Sequence, residues 1–84
     1  MAQTTSLNLT NSWQLVATGP CTVTCTAEAP DARYALREDA GSPDDSLTGH
    51  QFPLREDRSM ELADGTRLYA RGRPGQLAVS VDPL

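Results

Sequence analysis

The chain has 84 residues and a formal net charge of −4, enough for one domain with a small core whose stability is marginal at this size. Its basic side chains are all arginines, and an acidic chain without a basic stripe is a poor match for nucleic acid, which needs its phosphates neutralised. No apolar run is long enough to cross a bilayer, and the first five residues lack the basic and apolar segments of a secretory leader, so none is expected.

The pattern from the start of the chain is period two, the signature of half-buried strands. Ser6 to Thr10 alternates first, and Asn11-Ser12 reads as a turn. Trp13, Leu15 and Ala17 then fall on one face of the next segment, which Thr18-Gly19-Pro20 ends. The clearest strand follows, with Cys21, Val23, Cys25 and Ala27 on one side and Thr22, Thr24, Thr26 and Glu28 on the other. Ala29-Pro30-Asp31 closes it. Tyr34 and Leu36 alternate with Arg33, Ala35 and Arg37, although a helical turn could hide between Tyr34 and Asp39.

Glu38 to Thr48 is the longest polar stretch and reads as a surface loop with a mobile tip. His50 to Leu54 reads as a short edge strand, because Pro53 cannot donate to a ladder. Met60 and Leu62 alternate with Ser59 and Glu61, and Asp64-Gly65 separates this run from Thr66 to Ala70. Asp-Gly between alternating runs is a hairpin signal. After the turn at Arg71 to Gly75, Leu77, Val79 and Val81 alternate in a final strand.

The expectation is therefore an all-β fold over residues 1–84: a small antiparallel β-sandwich or jelly-roll-like barrel of about seven or eight short strands. The expected core is Leu7, Leu9, Trp13, Leu15, Val23, Cys25, Leu36, Phe52, Leu54, Met60, Leu62, Leu68, Leu77, Val79 and Val81.

Little in the chain suggests chemistry. Cys21 and Cys25 are the only cysteines. Four extended residues cover about 13 Å, too far for a disulfide, so they read as two reduced core thiols of a reducing compartment. A zinc site would need further ligands, and His50 is the only histidine. With no lysine, one histidine and neither thiol beside a positive charge, no nucleophile–base pair is expected. The neighbouring acids Glu38-Asp39, Asp44-Asp45 and Glu56-Asp57 lack the separation of a glycosidic acid–base pair. Asp44 and Asp45, with Ser42 and Ser46, could hold calcium weakly, but a solvated loop is the simpler reading. No cofactor, metal or catalytic residue is assigned.

Function through a surface remains. Thr22, Thr24, Thr26, Arg33, Arg67, Tyr69 and Arg71 are expected to face outward. Tyr and Arg are enriched at interface hot spots, so Arg67, Tyr69 and Arg71, with Asp44 and Asp45 in the loop, are the candidate interface. The acids Glu61 and Asp64 near Arg67, Arg71 and Arg73 equally suit a solvated, mixed-charge surface.

Two segments carry a resemblance: Asn11-Ser12-Trp13-Gln14-Leu15-Val16-Ala17-Thr18-Gly19, and Met60-Glu61-Leu62-Ala63-Asp64-Gly65-Thr66-Arg67-Leu68-Tyr69-Ala70-Arg71-Gly72 before a Val-rich last strand. In this order, spanning nearly the whole length, the chain resembles small virion proteins encoded in tailed-bacteriophage structural gene clusters. The resemblance implies a structural role without catalytic residues: a head decoration or cement protein, a head-fibre base or a tail-associated knob. It also implies assembly in the bacterial host cytoplasm, residence in the virion, and a homo-oligomer, a trimer above all, bound to the major capsid protein or another virion protein. No nucleic-acid or membrane partner is expected. The alternative is a tail- or head-fibre module binding a host-surface receptor or carbohydrate through Trp13, Tyr34, Tyr69 or Phe52. A small metal-dependent enzyme or a β-sandwich inhibitor is a third reading, which no residue requests.

Overall fold

The computed structural model describes residues 3–38, 41, 43–44 and 46–83. Eight strands follow one another: β1 Gln3–Leu9, β2 Gln14–Thr18, β3 Cys21–Ala27, β4 Arg33–Arg37, β5 His50–Gln51, β6 Asp57–Leu62, β7 Arg67–Arg71 and β8 Gly75–Pro83. Where a helical turn was an alternative, Tyr34 to Arg37 lie in strand β4, and Asp39 lies outside the described residues.

The strands form two four-stranded sheets, ordered β1-β8-β3-β6 and β2-β7-β4-β5. The pairings are nested. β1 pairs with β8, β2 with β7, β3 with β6 and β4 with β5, all antiparallel. The chain is in effect one long double ribbon folded back at the β4–β5 connection and rolled up, and the β3–β8 and β4–β7 ladders close the roll. Every connection except β4–β5 passes from one sheet to the other. This is jelly-roll connectivity.

Alternation places the core between the sheets. The first sheet contributes Leu9, Cys21, Val23, Cys25, Ala27, Leu62, Leu77 and Val79, and the second contributes Tyr34, Leu68 and Ala70. Ala32 and Phe52 join from the connections, and Leu7, Met60 and Val81 pack partly buried against them. Tyr34 lies against Phe52, ring centroids 4.7 Å apart. The Arg58 guanidinium, on edge strand β6, donates to the Tyr34 hydroxyl at 3.2 Å. A charged side chain on an edge strand also discourages pairing with another chain.

Three expected core residues are largely exposed. Leu15 is 52% exposed, Leu36 49% and Leu54 49%. Leu15 pairs with Tyr69 while Ala17 pairs with Leu68, leaving Val16 as the extra residue of a β-bulge. One extra residue reverses the parity of a strand, so Val16 and Ala17, not Leu15, lean on the core. Leu36 falls past the end of β5, which pairs only with Arg33 and Tyr34. Leu54 forms a lone parallel bridge with Ala27 where the chain crosses between sheets.

The Asp64-Gly65 expectation also needs correction. A turn forms there, with the Thr66 N–H donating to the Ala63 carbonyl at 3.0 Å. Gly65 has φ +85°, while Asp64 is not in the left-handed region. Positive φ at the third position alone is the type II pattern. Tight hairpins favour the primed turns, because type II splays the strands it joins. The two runs accordingly diverge, β6 into the first sheet and β7 into the second. Close packing marks the neighbouring corner: a Cβ on Gly19 would collide with the carbonyl oxygens of Ala63 and Leu62, and the Gly19–Pro20 peptide is cis.

Candidate binding surfaces

The two outer faces differ in chemistry. On the first sheet, Thr4, Ser80, Thr24 and Ser59 are aligned across β1, β8, β3 and β6. Thr4 and Ser80 hydroxyls are 2.7 Å apart and Thr24 and Ser59 hydroxyls 2.9 Å. One position along, the Thr26 hydroxyl donates to the Asp57 carboxylate at 2.6 Å. Thr22, Thr24 and Thr26 thus turn away from the core, half-buried by their cross-strand neighbours. Hydroxyl pairs of this kind stabilise a sheet modestly and leave a short-chained, polar surface.

On the second sheet the outer face is apolar at its centre and covered. Trp13, Ala35 and Tyr69 form a separate buried cluster there. Asp44, Leu47 and Gly49, from the chain between β4 and β5, lie beside it. The Trp13 indole N–H donates to the Asp44 carbonyl at 3.2 Å, and the Trp13 ring lies where a Cβ on Gly49 would be, 2.8 Å away. Arg71 donates to the Leu47 carbonyl at 2.7 Å, and its guanidinium carbon sits 4.6 Å from the Trp13 ring centre. A cation over an indole face contributes roughly 0.5–2 kcal/mol, more when desolvated. Of the stretch Glu38 to Thr48, expected as a solvated loop, Asp44 and Leu47 therefore join Gly49 in a packed lid on this face.

The five candidate interface residues separate accordingly. Arg71 and Asp44 are brought together around Trp13. Asp44 is exposed, and the Ser46 backbone N–H and hydroxyl hold its carboxyl below the usual carboxylate range. Tyr69 is 7% exposed and belongs to the covered cluster, which corrects its expected exposure. Arg67 lies two residues from Tyr69 on the same strand face, beside Thr18 and Arg37, away from Trp13. Asp45 lies outside the described residues.

All four aromatic side chains are buried: Trp13, Tyr34 and Tyr69 at 7% and Phe52 at 4%. Sugar recognition through an exposed stacking ring has no such ring to use here. His50 is exposed on β5 with its ring 5.2 Å from that of Tyr34. It lines a notch of about 360 Å³ with Ala35, Leu36, Leu47 and Gly49.

Both thiols are buried and free. Burial pushes Cys21 up and Cys25 up to about 11, so neither is a thiolate near neutrality. Folded protein should accordingly resist a thiol reagent at pH 8, and both cysteines should react once denaturant is added. Rapid labelling of the native chain would contradict their burial. The same shift sets a pH dependence. Above pH 9 the unfolded chain releases the Cys25 proton while the folded chain keeps it, so stability should fall as the pH rises from about 9 towards 11.

At the end of the second sheet, Asn11, Asp31, Arg33, Arg71, Gly72 and Arg73 line an open cleft of about 290 Å³. The sequence showed Arg71 and Arg73 as neighbours, but Arg33 reaches them only through the β4–β7 register. No protein-family model, curated protein or solved structure matches this chain.

Proposed function

We propose that this chain is a virion structural protein that binds the outer head lattice as an oligomer, a trimer above all, and decorates or stabilises it. The observation that carries the reading is the nested strand order, because jelly rolls recur in viral capsid domains. A fold alone does not assign a function, so the reading also leans on the resemblance of the Asn11–Gly19 and Met60–Gly72 segments to small phage virion proteins. Surface chemistry supports binding over catalysis: the thiols are buried with raised pKa values, and the one histidine packs on a tyrosine ring. The hydroxyl-rich outer face of the first sheet offers short polar side chains that could lie against a shell.

In this role the protein cross-links. Contacts spread over neighbouring capsomers raise the heat or force needed to break the shell, and avidity lets each contact be weak. Association would also support a core that is small for an independent domain.

Native mass spectrometry and a protein inventory of purified particles test the proposal together. The expected result is an assembly of three 9.0 kDa chains and the presence of this chain in the particle. A strictly monomeric chain missing from purified virions would overturn it.

A further inference from the structure

Each sheet ends in two edge strands, and three of the four edges are guarded against pairing with another chain. β6 carries Asp57, Arg58 and Glu61. β5 is two residues long and Pro53 follows it, while residues 35–37 of β4, which β5 leaves uncovered, end on Arg37. β2 is interrupted by the bulge at Val16. Charge, proline, shortness and bulges are the devices that keep an edge from acting as a template. β1 has none of them. Its seven residues, Gln3–Leu9, include no charge and no proline, and their register with β8 is unbroken. Gln3, Thr4, Thr5, Ser6 and Asn8 are exposed.

The register shows which backbone groups this edge offers. Asn8 stands opposite Gln76 of β8. The Gln76 carbonyl accepts the Glu28 N–H at 3.0 Å, just past the end of β3, so Gln76 turns its backbone groups away from β1. In an antiparallel ladder a residue directs its N–H and C=O to one side, and the side alternates along the strand. Asn8 therefore presents both groups to the open edge, and so do Ser6 and Thr4. The Gln14 side-chain amide donates to the Asn8 carbonyl at 3.2 Å, which agrees with this direction and covers that end of the edge. Thr4 and Ser6 remain, placed symmetrically about Thr5.

We propose that β1 pairs antiparallel with β1 of a second copy of this chain, about a two-fold axis at Thr5. The N–H and C=O of Thr4 then meet those of the partner's Ser6, and Gln3 stands opposite the partner's Leu7. A two-fold contact requires a surface that complements itself, and the symmetric placing of Thr4 and Ser6 supplies it. Charge also selects a second copy. The chain carries −4 overall, yet residues 3–9 bring no charge to this edge, so two copies meet here without like-charge contact. The few hydrogen bonds make the link concentration-dependent. It does not rest on the virion reading, and it is additional to the three-chain assembly proposed above.

Thr5→Cys tests the axis. Facing residues of a non-hydrogen-bonded antiparallel pair have Cα atoms about 4.5 Å apart, within reach of a disulfide. Cys21 and Cys25 are buried and stay out of the reaction. Under mild oxidation of the folded full chain, Thr5→Cys should form a disulfide-linked dimer at least tenfold faster than Ser59→Cys on the exposed edge of β6. Adding Ser6→Pro removes an outward N–H and spares the β8 ladder, a place where an edge strand tolerates proline. Cross-linking should then fall at least tenfold, with the fold followed by the amide spectrum. In the unsubstituted ¹⁵N-labelled chain, the Thr4 and Ser6 amides should shift, and exchange with solvent more slowly, as protein concentration rises. Equal cross-linking of Thr5→Cys and Ser59→Cys, undiminished cross-linking of a folded Ser6→Pro chain, or Thr4 and Ser6 amides indifferent to concentration would each overturn the proposal.

Discussion

Trp13→Ala is expected to destabilise the protein by about 3–5 kcal/mol, the range for removing a large buried aromatic. An 84-residue domain has a total stability on the order of 4–12 kcal/mol, so this one change removes a large share of it. Trp13 does three things at once. It fills the outer face of the second sheet with Ala35 and Tyr69, anchors the lid through Asp44, and seats the Arg71 guanidinium. Hydrogen exchange should therefore accelerate at Leu47 and Gly49 as well as at Tyr69. Trp13→Phe should retain most of the packing and lose the indole hydrogen bond, at a cost of about 1 kcal/mol. If Trp13→Ala left both the stability and the exchange of Leu47 and Gly49 unchanged, the lid would not be seated on this face.

The second large effect belongs to Leu68→Ala, with Leu15→Ala as its contrast. Leu68 is fully buried between the sheets, and truncation there should cost about 2–5 kcal/mol. Leu15 stands on the opposite face and is half exposed, so its truncation should cost under about 1 kcal/mol. Alternation taken alone would make both leucines core residues. Urea unfolding midpoints at unchanged slope measure the difference. Equal, large losses at both sites would mean that β2 has no bulge.

The same contrast explains what was legible in the sequence. Alternation is a local property, and where the strand is regular it identified the buried side chains directly. Cys21 to Ala27 is the clearest instance, every second residue of β3 being buried. A bulge is not visible in a hydrophobicity pattern, and it misassigned Leu15. Leu36 has the parity of the core but lacks a covering strand, because β5 is only two residues long.

Pairing order was less accessible, since alternation says which face is wet and not which strand lies alongside. Asp64-Gly65 promised a hairpin on composition, and backbone conformation at Gly65 turned it into a corner between sheets. Pro43 and Leu47, apolar residues within a polar loop, were the available hint of a lid over Trp13 and Tyr69. The arginine cleft was half legible: Arg71 and Arg73 are neighbours in the chain, while Arg33 needed the strand register to join them.

Everything proposed about the outer faces depends on the rolled, nested ribbon. Backbone nuclear Overhauser contacts between strands test it most directly. The account predicts contacts between Leu7 and Leu77, between Val23 and both Val81 and Met60, and between Leu15 and Tyr69. Cross-strand contacts pairing Leu62 with Arg67 through a hairpin, with none linking β1 to β8, would contradict it.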